Sequence, residues 1–585
     1  MGAPEDVASR RAAPSRELVA HRVRGFLARS SVAAAHGAGS QVDRLLERPR
    51  AVLGTLVGMQ VGATLVFALV VPHNGWVYFQ GGDQIWVSTT GWLLGQLELP
   101  PTEPGYMWSF LQAPITWFTG PTYVQVLPAL IVLNVVVLGP VALLCVYGIG
   151  TRIGGRLLGY WAAVLWVIAP FAAIPLFVDR YHEKWVDNFL PQALGLTAMS
   201  DYPSMVLVLA AALFVTRSLS PGRVADAALA GLLLGAAGAM KPPNLVLAVG
   251  AGLAFVVARR WREGLVLAAA VVPSLLVLAF WKERGLGRIP AFSLEETRVA
   301  AGAGLAAVDI SLDRYLDLDV DHWRTQMGQL REFFWSARLA QWAPFAGLLA
   351  VLRMRRGALA ALLAGWLGAF LFFKGFSVRA DIQANTFWRL LMPAWPAYLL
   401  LFASIPLLVP TLGRRLGDRV RPPDISPVRL RWAVLAVAAT VALPAAAIAA
   451  SSPIQDPTKA VVQDDEGNFV LTSVDEGIEV QARRVGAGQR LTWTTGGPWR
   501  ANVFYRVYRM DRPGPDVICG HPDQARAAYC TLLSVPIATT RAPVFVDRSP
   551  PRRGITYRIG VGTNWIDDPE QGDIFAFSPP VLAAR

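Results

Sequence analysis

Over the first 450 residues the apolar positions come in long unbroken runs, not in alternation. Runs of about 18 or more such residues are long enough to cross the hydrocarbon layer as helices. About eleven can be drawn by this criterion. They fall near 51–71, 121–147, 157–178, 202–219, 225–240, 243–258, 264–281, 339–352, 357–373, 390–411 and 432–450, several of them short or interrupted by proline. From about residue 465 the pattern changes to short alternating strands separated by Gly, Pro and Asp turns, the period-two signature of an antiparallel sandwich. The fold class this predicts is a membrane all-α multi-span bundle of about 11 transmembrane helices carrying a C-terminal all-β sandwich. The division is a tail over 1–50, the transmembrane domain over 51–450, a linker over 451–464 and the sandwich over 465–585.

Composition agrees with a lipid environment: 54% of residues are apolar, 16% are charged and the mean hydropathy is +0.40, which excludes a disordered chain and an ordinary soluble one. The net charge of +13 is compatible with nucleic acid, anionic lipid or loop topology until the arginines are located. They sit in alternate connections, at Arg152/Arg156, Arg217/Arg223, Arg259/Arg260/Arg262, Arg353/Arg355/Arg356 and from Arg414 to Arg431, which the positive-inside rule assigns to the cytoplasm. Residues 1–50 hold nine arginines and 72–120 hold neither Lys nor Arg. The expected topology is therefore a multi-pass protein of the plasma membrane with a cytoplasmic amino terminus and an extracytoplasmic sandwich. No nucleic-acid partner is expected. The first 50 residues lack an early apolar core and read as a cytosolic tail, not a cleaved signal.

Three outside segments, 72–120, 179–201 and 282–338, are too long for simple turns. The first is rich in Trp and Tyr, which favour the headgroup level, and reads as helices lying along the interface. Cys145 falls in a span and reads as a small hydrophobe, whereas Cys519 and Cys530, in an oxidising compartment with ten residues between them, suit a disulfide. No Cys/His spacing suggests a zinc site.

Charges at the edge of a bundle are costly, and each is a functional hypothesis that needs a partner. Asp83 follows Gly81-Gly82 in the first outside loop, and spacing alone leaves a helix cap and a reactive carboxylate equally open. Asp201, in Ser200-Asp201-Tyr202-Pro203, again suits a helix start or a site. Lys241, Arg379 and Arg389 lie on the outside against the positive-inside trend, where a cation can hold a phosphate or snorkel to headgroups.

Taken in order, Gly82-Asp83, Pro104-Gly105-Tyr106, Ala113-Pro114-Ile115, Asp201-Tyr202-Pro203, Lys241-Pro242 and Arg389…Pro393…Pro396-Ala397-Tyr398 resemble the membrane-integral C-type glycosyltransferases, the group of protein mannosyltransferases, lipid A aminoarabinose transferases and actinobacterial arabinosyl- and mannosyltransferases. The resemblance covers roughly 51–411 and rests on order and topology, each motif being short. It implies a polyprenyl-phosphate-linked sugar donor, an envelope glycan, lipid or protein acceptor outside the cytoplasm, and inversion at the anomeric carbon. It implies Asp83 as general base, Asp201 positioning the acceptor or sharing that work, and Lys241, Arg389 and Arg379 on the leaving phosphate. Gln84, Glu103, Tyr106, His182 and Glu183 would lie about the acceptor or cavity. Many members carry a second acid directly after the first-loop aspartate, where this chain has Gln84, so a divalent cation is left open and not assumed. The C-terminal region resembles a fibronectin type III domain, with Trp493 as core tryptophan and Tyr557 as tyrosine corner. A flippase or transporter of lipid-linked sugars is the competing reading, disfavoured because no internal repeat is visible and the charges gather at the outer edge.

Overall fold

The structure is a computed structural model. It describes residues 46–70, 83–99, 105–120, 123–189, 195–286, 289, 297–301, 304–308, 319–333, 338–375, 392–411, 430–453, 461–463, 469–471, 478–495, 503–510, 530–531, 536–550, 555–563, 573–578 and 581–584. The chain forms two compact units, Met1–Thr55 and Leu56–Arg585. Arg379, Arg389, Glu103 and Cys519 lie outside the described residues. So do the side chains of Asp83, Gln84, His182, Glu183 and Cys530.

The helical part runs α1 (Pro49–Val70), α2 (Asp83–Gly95), α3 (Tyr106–Thr119), α4 (Tyr123–Val132), a π-helical segment Leu133–Leu138, α5 (Gly139–Phe189), α6 (Asp201–Ser218), α7 (Val224–Met240), a 3₁₀ turn Pro242–Val246, α8 (Leu247–Ala258) and α9 (Trp261–Leu286). After a hairpin of β2 (Thr297–Ala301) and β3 (Gly304–Val308) come α10 (Val320–Phe333), α11 (Arg338–Arg353), α12 (Gly357–Gly375), a 3₁₀ turn Met392–Ala394, α13 (Trp395–Ser404), α14 (Leu430–Val437), a second π segment Ala438–Ala442 and α15 (Leu443–Ala450). Helix occupies each of the predicted spans. Among the described residues two stretches, Val126–Ala169 and Trp261–Gly285, suffice by length and composition to cross a membrane, and five apolar helices are shorter. Large apolar side chains stand exposed along several of these helices, Leu276 at 65% and Leu349 at 60% among them, as suits contact with acyl chains. This is a membrane protein.

Within α5, Gly155 has φ +84°, and Tyr147 stacks on Tyr160 with ring centroids 5.2 Å apart. Thirteen residues of straight helix would separate those rings by about 20 Å. The chain therefore reverses at Gly155, and a Cβ on Gly150 would stand 3.1 Å from the Gly159 Cα, so small residues let the two arms touch. The hairpin accounts for the two spans read on either side of it. Its second arm continues as helix to Phe189, so the first part of the loop expected over 179–201 is helical.

Both π segments end immediately before an X-Pro pair, Gly139-Pro140 and Leu443-Pro444. Proline in a helix interior has no N–H for the carbonyl four residues back and clashes with it, and the wider turn relieves that conflict.

The C-terminal strands form two facing antiparallel sheets, a further three-stranded sheet in the order β10 (Cys530–Thr531), β5 (Val461–Gln463), β6 (Phe469–Leu471), and a short parallel pair in which β4 (Ser452–Pro453) joins β1 (Glu98–Leu99). Of the facing sheets, one has the order β11 (Ala538–Thr540), β9 (Val503–Met510), β13 (Thr556–Thr563), β14 (Asp573–Phe577), with β15 (Val581–Leu582) also on β13. The other has β12 (Val544–Asp547), β8 (Gly488–Thr495), β7 (Ile478–Val485). Leu491 and Trp493 from one sheet meet Tyr505, Val507, Tyr557, Ile559 and Val561 from the other in a single core, with Trp493 edge-on to Tyr505 at 5.2 Å. The Tyr557 hydroxyl donates to Asp547 Oδ2 at 2.7 Å, and the same carboxylate accepts from the Ser549 amide and lies 3.4 Å from Arg509. A tyrosine corner bonds to nearby backbone, whereas this tyrosine bonds to a carboxylate. Tyr557→Phe leaves that buried acid short of a donor. It should cost the sandwich about 1–3 kcal/mol, read as a lower urea midpoint for proteolysis of the C-terminal region in the full-length chain.

Candidate functional site

Asp201 opens α6, with Ser200 at the N-cap position. Its carboxylate is 1% exposed, and Lys241 Nζ donates to Asp201 Oδ1. Lys241 sits where α7 ends, in an extended conformation (φ −143°, ψ 108°), because the residue before Pro242 is pushed out of the helical region. The turn is held from below, with the Asn244 amide donating to the Lys241 carbonyl at 3.0 Å and Asn244 Nδ2 to the Ala237 carbonyl at 2.9 Å. Two charges predicted separately, 40 residues apart, are thus one ion pair. Pairing is what lets a carboxylate stay ionised in so apolar a setting.

Two further motifs pack against these helices. The buried turn Met392–Ala394 lies against α6. On the other flank Gly105 abuts the end of α7, where a Cβ would come within 2.0 Å of the Ala239 oxygen and 2.7 Å of the Met240 oxygen. Gly105 has an ordinary φ of −69°, so closeness, not backbone freedom, requires glycine. Gly105→Ala should force α3 off α7, lowering stability by about 1–3 kcal/mol. Thermal unfolding of the purified protein checks this.

Tyr106, expected about the acceptor, is fully buried, and its hydroxyl donates to the Thr440 carbonyl at 3.2 Å. Pro444 has no N–H to offer that carbonyl, and Tyr106 supplies a donor in its place. Its role here is to fasten α3 to the second π segment. Trp108 Nε1 likewise donates to the Ala198 carbonyl at 2.8 Å, tying α3 to the segment before Asp201.

α2 and α3 pack side by side and run in the same direction. Ser109 Oγ donates to the Val87 carbonyl at 3.2 Å, Gly91 faces Ser109 and Gln112, and Trp117 Nε1 donates to the Gly95 carbonyl at 3.1 Å. This register carries the first turn of α2, which begins at Asp83, level with Gly105-Tyr106 and hence toward the end of α7. The backbones of Gln84, His182 and Glu183 are helical, in α2 and in the second arm of α5.

At the other end of α6, about 25 Å away at 1.5 Å per residue, Arg217 Nε lies 2.8 Å from the fully buried Asp226 and Arg223 lies 3.8 Å from it. Arg152 stands beside them, its Nη1 donating to the Gly148 carbonyl at 2.8 Å. One end of this helix thus carries the Asp–Lys pair and the other an arginine cluster. Among the described residues no group of three or more His, Cys, Asp or Glu could hold a metal ion.

The sequence reading missed Gln60 and Asn134, both buried in apolar helices. Asn134, in the first π segment, donates through Nδ2 to the Thr197 carbonyl at 3.2 Å, beside the Asp201 end of α6. A lone amide within an apolar run was the available signal.

The chain matches no protein-family model and no curated protein. Among solved structures it is similar to the Archaeoglobus fulgidus oligosaccharyltransferase in the apo form, at 14% identity and a TM-score of 0.36, covering 70% of this chain and 56% of that one. It is similar also to the archaeal oligosaccharyltransferase AglB from Archaeoglobus fulgidus in complex with an inhibitory peptide and a dolichol-phosphate, at 14% identity and a TM-score of 0.38, covering 69% and 56%. The chain thus spans a little over half the length of these proteins.

Proposed function

We propose that this chain is a membrane-embedded glycosyltransferase that moves a sugar from a polyprenyl-phosphate donor to an acceptor outside the cytoplasm. The observation that carries the proposal is the Asp201–Lys241 pair at one end of α6, with Gly105 against the end of α7 and Met392–Ala394 against α6. An acid and a base held at one end of an apolar bundle, opposite an arginine-rich end, suit chemistry at the outer surface. The order of motifs, similar to that of the C-type glycosyltransferases, points to the same reaction.

In this reading the acceptor hydroxyl oxygen attacks the anomeric carbon, the bond from that carbon to the phosphate oxygen breaks with inversion, and Asp83 takes the hydroxyl proton. The polyprenyl phosphate leaves with the bonding electrons and is stabilised by Lys241, Arg389 and Arg379. Lys241 then shares its charge between Asp201 and the phosphate, and Asp201 keeps that cation in place and orients the acceptor. The arginine cluster marks the cytoplasmic end. The sandwich, of fibronectin type III kind and braced by a Cys519–Cys530 disulfide, stands outside with the acceptor.

The test is transfer from a panel of radiolabelled polyprenyl-phosphoryl sugars, arabinofuranose and mannose among them, to envelope glycans by protein in nanodiscs. Transfer is the expected result. No transfer from any donor, together with movement of the lipid-linked sugar across liposomes, would replace the enzyme by a flippase.

A further inference from the structure

At the end of α6 away from Asp201, Arg217 Nε donates to the fully buried Asp226 at 2.8 Å, and its guanidinium lies 5.0 Å from the centroid of the Phe214 ring. Arg223, at the N-cap position of α7, is 3.8 Å from the other carboxylate oxygen, beyond hydrogen-bond reach. Arg152 comes to the same three charged groups from the first arm of α5. The described contacts thus bring three guanidinium groups to one carboxylate. The Arg217 and Arg223 side chains are 15% and 23% exposed, so the cluster is sheltered but can be reached. Like charges gathered in such a place repel, and a bound anion relieves the repulsion.

An apolar face of the bundle leads to this cluster. Val141 and Leu144 are exposed, and with Gly148 and Arg152 they stand at i, i+3, i+7 and i+11, on one face of the first arm of α5. Gly148 lets α6 close on that face: a Cβ there would stand 2.8 Å from Leu213 Cδ1 and 3.7 Å from Arg152 Nη1. Leu213 is one turn before Arg217 on α6, so the exposed apolar face ends where the guanidinium groups begin. Apolar surface running up to clustered arginines is complementary to acyl chains joined to a phosphate, and the planar guanidinium fork matches phosphate oxygens. We propose that Arg152, Arg217 and Arg223 hold the phosphate of an anionic phospholipid whose acyl chains lie along Val141 and Leu144. The site is at the opposite end of α6 from the Asp201–Lys241 pair and does not depend on what is transferred there.

The experiment titrates dioleoyl phosphatidylglycerol into the full-length protein in detergent, beside dioleoyl phosphatidylcholine and inorganic phosphate. Wild type should bind the anionic lipid about tenfold more tightly than the zwitterionic one. Arg152→Gln and Arg223→Gln both leave the Arg217–Asp226 bond in place, and each should weaken phosphatidylglycerol binding roughly fivefold, with melting temperatures of the lipid-free proteins close to wild type. Arg152→Lys keeps the charge and should hold the lipid better than Arg152→Gln, which tells loss of charge from loss of fold. Arg262→Gln, at an exposed arginine of another connection, should change nothing. Full affinity in Arg152→Gln and Arg223→Gln, equal weakening by Arg262→Gln, a lysine no better than glutamine, or equal binding of the two lipids overturns the site and leaves the arginines as partners of Asp226. Inorganic phosphate that displaces the lipid at equal concentration overturns the lipid assignment and makes the ligand a soluble phosphate.

Discussion

Lys241→Met is expected to cost about 3–5 kcal/mol of stability and to abolish binding of a polyprenyl phosphate, whereas Asp201→Asn should cost much less. The asymmetry follows from where the charges lie. Asp201 is 1% exposed at the head of α6, so removing the ammonium takes its counter-charge from a buried carboxylate. The Lys241 side chain is 21% exposed and stands on a four-carbon stem, and without its acid it can swing toward the interface. The double variant Asp201→Asn/Lys241→Met removes both charges and should recover most of the lost stability while binding stays lost. Melting temperatures of the three variants, with a titration by polyprenyl phosphate, separate the structural role of the pair from its ligand role. A Lys241→Met protein as stable as wild type would show that the pair is not buried in the membrane. A double variant that regains binding would remove Lys241 from the phosphate site.

What the sequence disclosed and what it withheld divide along physical lines. Spans were legible because a single property, apolar length, decides them, and the reversal at Gly155 was foreshadowed by Gly154-Gly155 flanked by Arg152 and Arg156. The sandwich core was legible for the same reason, Trp493, Tyr505 and Tyr557 being inward members of alternating strands. Asp201 and Lys241 were each visible as charges in apolar surroundings, but their pairing depends on how α6 and α7 pack, which no local pattern encodes. Helix Asp201–Ser218 begins where expected, yet the carboxylate that suited a cap points to Lys241 instead. The stretch from Asp179 to Asp187, placed in the outside segment 179–201, is helical because the preceding turns of α5 are already formed and need only propagate. Pro140 and Pro444 announced broken ladders. That Tyr106 donates to the carbonyl that Pro444 cannot reach required the tertiary fold.

Asp83→Asn should reduce transfer about a hundred- to ten-thousand-fold while leaving melting temperature and lipid-phosphate binding at wild-type values. The substitution is chosen to separate two roles that the first residue of α2 can play. Asparagine caps a helix as well as aspartate does, so a structural Asp83 would tolerate it. An amide cannot take the proton of an attacking hydroxyl, so a general base would not tolerate it. Binding should survive because the proposed phosphate site is at the end of α7, where Lys241 pairs with Asp201 and the Asn244 turn holds its backbone. Catalysis should fail if, as proposed, the start of α2, level with Gly105-Tyr106, brings the base to the acceptor hydroxyl. Wild-type rates in Asp83→Asn would reduce Asp83 to a cap. Among the described residues Asp201 is the acid at the pair that could then take the proton, and doing so would loosen its hold on Lys241, a trade that the leaving phosphate, by drawing the lysine to itself, would make easier.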